Sequence, residues 1–188
     1  DLEFVNITDD SKLQVIEKDV FSRTRIKDIL IPSHVKLISQ CAFAGSSLSK
    51  FECAPNSELR TIESLAFDNS NVNSISIPAS VVDLKKGWCK DTRNLTHVEV
   101  EEGNKCYCSI EGKYIIGKSD LDKVEYDSLV FCSRNIEKII IPSHIIKICE
   151  NAFSCCYQLE RVEFDTNSEL QIIEENAFAN SGFKSICI

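Results

Sequence analysis

Three histidines and ten cysteines are the side chains of this 188-residue chain best suited to acid–base, nucleophilic or metal chemistry. His34 and His144 occupy the same place in two similar segments, Ile31-Pro32-Ser33-His34-Val35 and Ile141-Pro142-Ser143-His144-Ile145, so repetition accounts for both. With four repeats between them they lie about 20 Å apart, too far to share a metal or a proton. His97 stands two residues before Glu99. That spacing puts both on one side of a strand, and it reads as a surface pair because no motif places a nucleophile beside it. Cys106-x-Cys108 and Cys155-Cys156 lack the Cys-x-x-Cys spacing of structural zinc. Phosphate-cradling glycine loops, nucleophile elbows and zinc-protease helices have no counterpart here. The expectation is a protein that is not an enzyme, with no catalytic residue, no metal ligand and no cofactor.

The elements that would position any site come from a repeat. Ser11-Lys12-Leu13-Gln14-Val15-Ile16-Glu17 recurs as Ser57-Glu58-Leu59-Arg60-Thr61-Ile62-Glu63 and as Ser168-Glu169-Leu170-Gln171-Ile172-Ile173-Glu174. Val20-Phe21, Ala66-Phe67 and Ala177-Phe178 follow these segments, and a second repeat form ends in Ala42-Phe43 and Ala152-Phe153. Val5, Ile29, Phe51, Ile75, Val98, Ile139, Val162 and Ile186 form one apolar column. Ile7, Ile31, Cys53, Ile77, Val100, Ile141, Phe164 and Ile188 form the next. The steps are 22 to 24 residues, apart from one of 41. Residues two apart point to one side of a strand, so stacked copies predict a parallel sheet of eight strands spanning roughly 34 Å. One copy cannot bury its apolar face alone, and recurrence is therefore required. Trp88-Cys89 replaces Ala-Phe in one copy, exchanging small-large for large-small at core positions.

Composition narrows the partners. Twenty-one basic against 29 acidic residues give a net charge of −8, which removes the electrostatic footprint of a nucleic-acid or polybasic lipid binder. No apolar run approaches the ~20 residues needed to span a bilayer, so no direct membrane insertion by this segment is expected. The first residues lack the pattern of a signal peptide.

Once Leu-x-x-Val/Ile-x-Ile/Phe, Ile-Pro-Ser and Ile-x-x-x-Ala-Phe are aligned, the chain resembles the BspA-like branch of the leucine-rich repeat family. The resemblance covers essentially the whole sequence. It implies an α/β solenoid, a right-handed leucine-rich repeat superhelix with a curved array of parallel strands and a β-hairpin insertion near the middle. Residues 1–94 would hold about four repeats and 95–135 a long irregular one; 136–188 would hold two more and a final strand. All would form one continuous solenoid, expected to be a stretch of a longer array. The irregular copy carries Asn104-Lys105-Cys106-Tyr107-Cys108-Ser109-Ile110-Glu111-Gly112. Relatives interrupt their arrays with a similar Asn-x-x-Tyr-x-Ser-x-Asp/Glu-Gly segment, and Glu111-Gly112 reads as a hairpin turn. The resemblance also implies an extracellular, cell-surface location and a role in adhesion.

The surface left over points to binding. One outward column reads Phe4, Asp28, Lys50, Ser74, His97, Lys138, Arg161, Ser185, and its neighbour reads Asn6, Leu30, Glu52, Ser76, Glu99, Ile140, Glu163, Cys187. Core columns are nearly uniform while these vary in charge and size, as suits a partner-specific face. Candidate ligand-binding residues are Phe4, Asp28, Leu30, Lys50, Glu52, His97, Glu99, Lys138, Ile140, Arg161 and Glu163. The expected partner is a host-cell or matrix protein; a self-associating scaffold is the alternative. Asn6 and Asn94 head Asn-x-Thr sequons and are candidate glycosylation sites. Should the protein be extracellular, Cys132 and Cys155, late in consecutive copies, are a candidate disulfide.

Overall fold

The computed structural model describes residues 2–182 and 184–186. Two walls of each coil are short strands. The open wall of the first half is the parallel sheet β2 (Asp28–Ile31), β4 (Lys50–Cys53), β6 (Ser74–Ile77) and β8 (His97–Val100), in that order. The second wall stacks β1 (Val15–Ile16), β3 (Leu37–Ile38), β5 (Thr61–Ile62) and β7 (Asp83–Leu84). Past the irregular copy the open wall resumes as β12 (Lys138–Ile141) and β14 (Arg161–Phe164). The second wall there is a five-stranded mixed sheet of β9 (Tyr107–Ile110), β10 (Tyr114–Gly117), β11 (Ser128–Cys132), β13 (Lys147–Ile148) and β15 (Ile172–Ile173).

The third wall corrects the α/β expectation. Among the described residues there is no helix, and the protein is an all-β solenoid. The cause is local. Each Ala-Phe pair, like its variants Val20-Phe21 and Trp88-Cys89, is bracketed by two residues with positive φ, four apart: Asp19 and Arg23, Cys41 and Gly45, Leu65 and Asn69, Gly87 and Asp91, Asn151 and Cys155, Asn176 and Asn180. A left-handed residue every fourth position leaves no run long enough to nucleate an α-helix. The amide hydrogens turn outward along the stack instead. Phe21 N–H donates to Ala42 O (2.9 Å), Phe43 N–H to Ala66 O (2.8 Å), Phe67 N–H to Trp88 O (2.9 Å) and Phe153 N–H to Ala177 O (2.7 Å). The residues that bracket Val20-Phe21, Ala42-Phe43, Ala66-Phe67 and Ala152-Phe153 do the same, so the wall is a ladder of turns whose backbone groups are satisfied between coils.

The phenylalanines of these turns stack inside. Phe21, Phe43 and Phe67 follow one another at centroid spacings of 5.4 and 5.5 Å, and Phe153 and Phe178 stack at 4.8 Å. Trp88 is buried and ends the first stack, meeting Phe67 edge-on and Phe131 at a tilt. The apolar interior accordingly falls into two clusters, one running from Ile16 to Phe131 and the other from Leu129 to Ala177. Ile186, assigned above to a core column, is 37 % exposed, and Ile188 and Cys187 lie outside the described residues.

The irregular copy shows how the broken ladders are closed. An exposed strand edge carries unpaired N–H and C=O groups, and here side chains of the insertion take them up. Asn104 is 7 % exposed and uses all four of its hydrogen-bonding positions. Its amide donates to Pro78 O (3.0 Å) and Val81 O (2.9 Å), and its carbonyl accepts from Cys106 N–H and Tyr107 N–H (both 2.9 Å). The Tyr107 hydroxyl accepts Leu84 N–H at the end of β7 (2.9 Å), and Ser109 Oγ accepts Val100 N–H at the end of β8 (3.0 Å). Burial pushes the Tyr107 phenol up to about 12, which keeps it neutral. The insertion residues 104, 107 and 109 are thus anchors that bind the hairpin to the preceding coil and to β8 of its own.

Candidate functional site

Backbone pairing fixes the outward columns. Asp28 stands opposite Lys50, Lys50 opposite Ser74 and Ser74 opposite His97; Leu30 faces Glu52 and Ser76 faces Glu99. In the second half Lys138 pairs with Arg161 and Ile140 with Glu163. The strands alternate because Ile29, Ile31, Ile139 and Ile141 are drawn into the core, which forces Asp28, Leu30, Lys138 and Ile140 out. Leu30 and Ile140 are 55 % and 60 % exposed, each beside a glutamate of the adjoining strand. Phe4 is 76 % exposed ahead of β2, outside any strand, and Asn6 is exposed with it.

Charged and polar side chains on this face pair along single strands. Lys50 Nζ lies 2.7 Å from Glu52, His97 Nε2 lies 3.0 Å from Glu99, and Arg161 pairs with Glu163. All six side chains are well exposed, and such pairs are worth less than about 1 kcal/mol each to stability. They are therefore free to exchange partners with an approaching molecule.

The face is not continuous. The hairpin turn Glu111-Gly112 is inserted after β8, where Gly112 O accepts Val98 N–H (3.1 Å) in place of a following strand. Gly112 has φ +66°, and a Cβ there would sit 2.7 Å from His97 Cε1. Glycine lets the turn pass over the histidine ring without strain; a side chain there would have to push the exposed ring aside. Between this turn and β12 lies an open cleft of about 530 Å³ whose walls include His97, Glu111, Lys113, Glu137 and Lys138. The structure thus brings together His97 and Lys138, which the sequence reading placed in one column but 41 residues apart. Glu111 and Lys113 form an ion pair of 2.8 Å on its rim, which lowers the carboxyl of Glu111 and raises the ammonium of Lys113. The reading of the columns missed Glu111, Lys113 and Glu137 because it followed only the outward positions of the repeat strands; the hairpin turn it found at Glu111-Gly112 did not show that the turn sits level with those strands. Among the described residues no three His, Cys, Asp or Glu side chains gather as metal ligands.

The candidate disulfide partners are found apart. Cys155 donates a hydrogen bond to Asp91 and accepts one from the Tyr157 hydroxyl, whereas Cys132 lies against Cys156. The inter-coil ladder explains this: Cys132 N–H donates to Ala152 O (2.9 Å), so Cys132 is the counterpart of Phe153 and not of Cys155. Asn94 is exposed, as the sequon reading requires of an acceptor.

Comparison with known proteins agrees with this architecture. The family model for BspA-type leucine-rich repeat regions, in six copies, matches residues 1–109 and 103–188. The chain belongs to the BspA-type leucine-rich repeat family. No curated protein matches it. Among solved structures, the pneumococcal vaccine antigen PcpA superposes with a TM-score of 0.81 and 28 % identity over 90 % of this chain and 41 % of that one. A leucine-rich repeat protein from Eubacterium ventriosum gives 0.70 at 21 % identity, covering 90 % of this chain and 50 % of that one. A leucine-rich cell surface protein from Faecalibacterium prausnitzii gives 0.57 at 18 % identity, covering 82 % and 51 %. The last two are likenesses of fold. This BspA-type chain spans about half or less of the length of each structure.

Proposed function

We propose that this BspA-type solenoid is a non-enzymatic recognition module at a cell surface, binding a host-cell or matrix protein through the open face of its parallel sheets. The observation that carries the reading is the contrast along one register. Inward positions are Ile, Val and Phe from coil to coil, with one Cys at 53, while their outward neighbours mix exposed Leu30 and Ile140 with loosely held ion pairs. Apolar anchors flanked by exchangeable charge suit a protein partner, in which a few buried side chains supply most of the affinity. The cleft at His97 and Lys138 breaks the face midway and offers a recess that a protruding side chain could enter. Likeness to a vaccine antigen and to a cell surface protein supports an extracellular location.

The test is binding of the purified chain to cultured host cells and to immobilised matrix proteins, beside the Leu30→Glu, Ile140→Glu double variant. Both positions are solvent-facing, so the variant should fold, as circular dichroism will verify. At least a tenfold loss of affinity is expected. Equal binding by variant and wild type would move the site off the face. Failure of both to bind, together with concentration-dependent sedimentation, would favour a self-associating scaffold.

A further inference from the structure

At the junction of the two apolar clusters sits a buried charge without a counter-ion. Arg134 is 3 % exposed and makes no ion pair with a carboxylate among the described residues. Its guanidinium donates to Cys132 O (3.2 Å), Ala152 O (3.1 Å) and Cys89 O (3.5 Å), and lies over the Phe131 ring at 4.6 Å. It also reaches the sulfurs of Cys156 and Cys89, each at 3.9 Å, while its Nε has no partner. A buried cation is costly unless something negative accompanies it. The groups that can become negative here are thiols.

Two of them touch. Cys132 and Cys156 are fully buried, and each thiol shifts the acidity of the other. The Cys156 thiol donates to Ser133 O (3.6 Å) and reaches Cys132 O (3.9 Å) on the preceding coil. Phe153 is level with Cys132 on the ladder and Cys156 follows three residues later, its sulfur reaching back over the Cys132 backbone, so closing an S–S bond requires the turn to bring the two Cα atoms within about 4.4–6.8 Å.

We propose that Cys132 and Cys156 form a disulfide that staples the irregular coil to the one after it, with a low-molecular-weight disulfide such as oxidised glutathione as oxidant. Cys156, as thiolate, attacks one sulfur of the oxidant and expels one glutathione thiolate, leaving a mixed disulfide on Cys156. Cys132 then gives up its proton to solvent and attacks the Cys156 sulfur, expelling the second glutathione. The protein loses two electrons and two protons, and one oxidised glutathione becomes two reduced ones. Arg134 favours this order. The neighbouring Cys132 thiol and the Arg134 guanidinium hold Cys156 below its ordinary value, while burial holds Cys132 well above its own. Since both sulfurs are buried, exchange takes place as the second cluster docks or opens locally. The staple is independent of what the open face binds.

The experiment is refolding of the whole chain in glutathione redox buffer, followed by acid quench, alkylation in denaturant and peptide mapping by mass spectrometry. A linked pair of Cys132 with Cys156 is expected in oxidising buffer. The pair should persist in Cys155→Ser and vanish in Cys156→Ser. The bridge, closing a loop of moderate length, should raise the thermal midpoint by roughly 10 °C relative to the reduced protein. Full alkylation of Cys132 under every redox condition, or its linkage to Cys155 or another cysteine, would overturn the assignment.

Discussion

Replacing Asn104 tests whether the insertion is held by side chains acting as surrogate strand partners. In Asn104→Ala four hydrogen bonds vanish, but not all four leave an orphan. Pro78 O keeps the bond from Val81 N–H (3.1 Å). Val81 O, Cys106 N–H and Tyr107 N–H lose the partner that Asn104 supplies, in a site where Asn104 is 7 % exposed. At about 1 kcal/mol for each buried group left unpaired, the loss comes to about 3 kcal/mol. Asn104→Asp keeps the acceptor towards the two amides and turns a negative oxygen towards Pro78 O and Val81 O. It should therefore be at least as destabilising at neutral pH and recover part of the loss in acid, where the protonated carboxyl can donate. Urea unfolding followed by Trp88 fluorescence, with the exposed Asn73→Ala as control, measures all three. A loss below about 1 kcal/mol, or one equal to the control, would refute the reasoning, because the insertion would then be held by its apolar contacts alone.

Gly112→Ala should cost about 1–2 kcal/mol from the left-handed backbone and displace the His97 ring, seen as loss of stability with shifted imidazole resonances; unchanged resonances would contradict the packing. Phe43→Ala removes the middle ring of a three-ring stack and should cost 3–5 kcal/mol, on the order of other buried Phe truncations, in urea unfolding. Stability should fall as the solution becomes alkaline. Burial pushes Cys89 up to about 12 from its ordinary 9.0, so above pH 9 the unfolded chain releases a proton that the native state retains. Each pH unit between 9 and 12 should then cost about 1.4 kcal/mol through this thiol, and Cys89→Ala should shallow the slope; a urea midpoint flat from pH 8 to 10 would contradict it.

The strands and their register were legible because two signals agree there, a period of two within each strand and a period of 22 to 24 between copies. Asp28, Lys50, Ser74 and His97 fall in one row for that reason. The turn wall was misjudged as helical. Asn69, Asn151, Asn176, Asn180, Gly45 and Gly87 are residue types that favour positive φ, but Arg23, Cys41, Leu65 and Cys155 hold the same backbone and hide the spacing of four. Arg134 was overlooked because nothing local marks an arginine for burial; its carbonyl partners come from Cys89, Cys132 and Ala152 in three different coils. The cleft was invisible for a similar reason. Its opposite walls, Glu111 and Lys138, meet only after the hairpin has taken the place of a strand.

The central claim is that the open sheet face carries the partner. Its most direct measurement compares the affinity of two double charge reversals for the same host-cell or matrix target. One is Lys50→Glu with Arg161→Glu on the open face; the other is Lys18→Glu with Arg93→Glu, exposed at the turn wall and beside it. Both change the net charge equally, so long-range electrostatics are matched. Loss of binding in the first and wild-type affinity in the second is the predicted result. Equal affinities in the two variants would contradict the account.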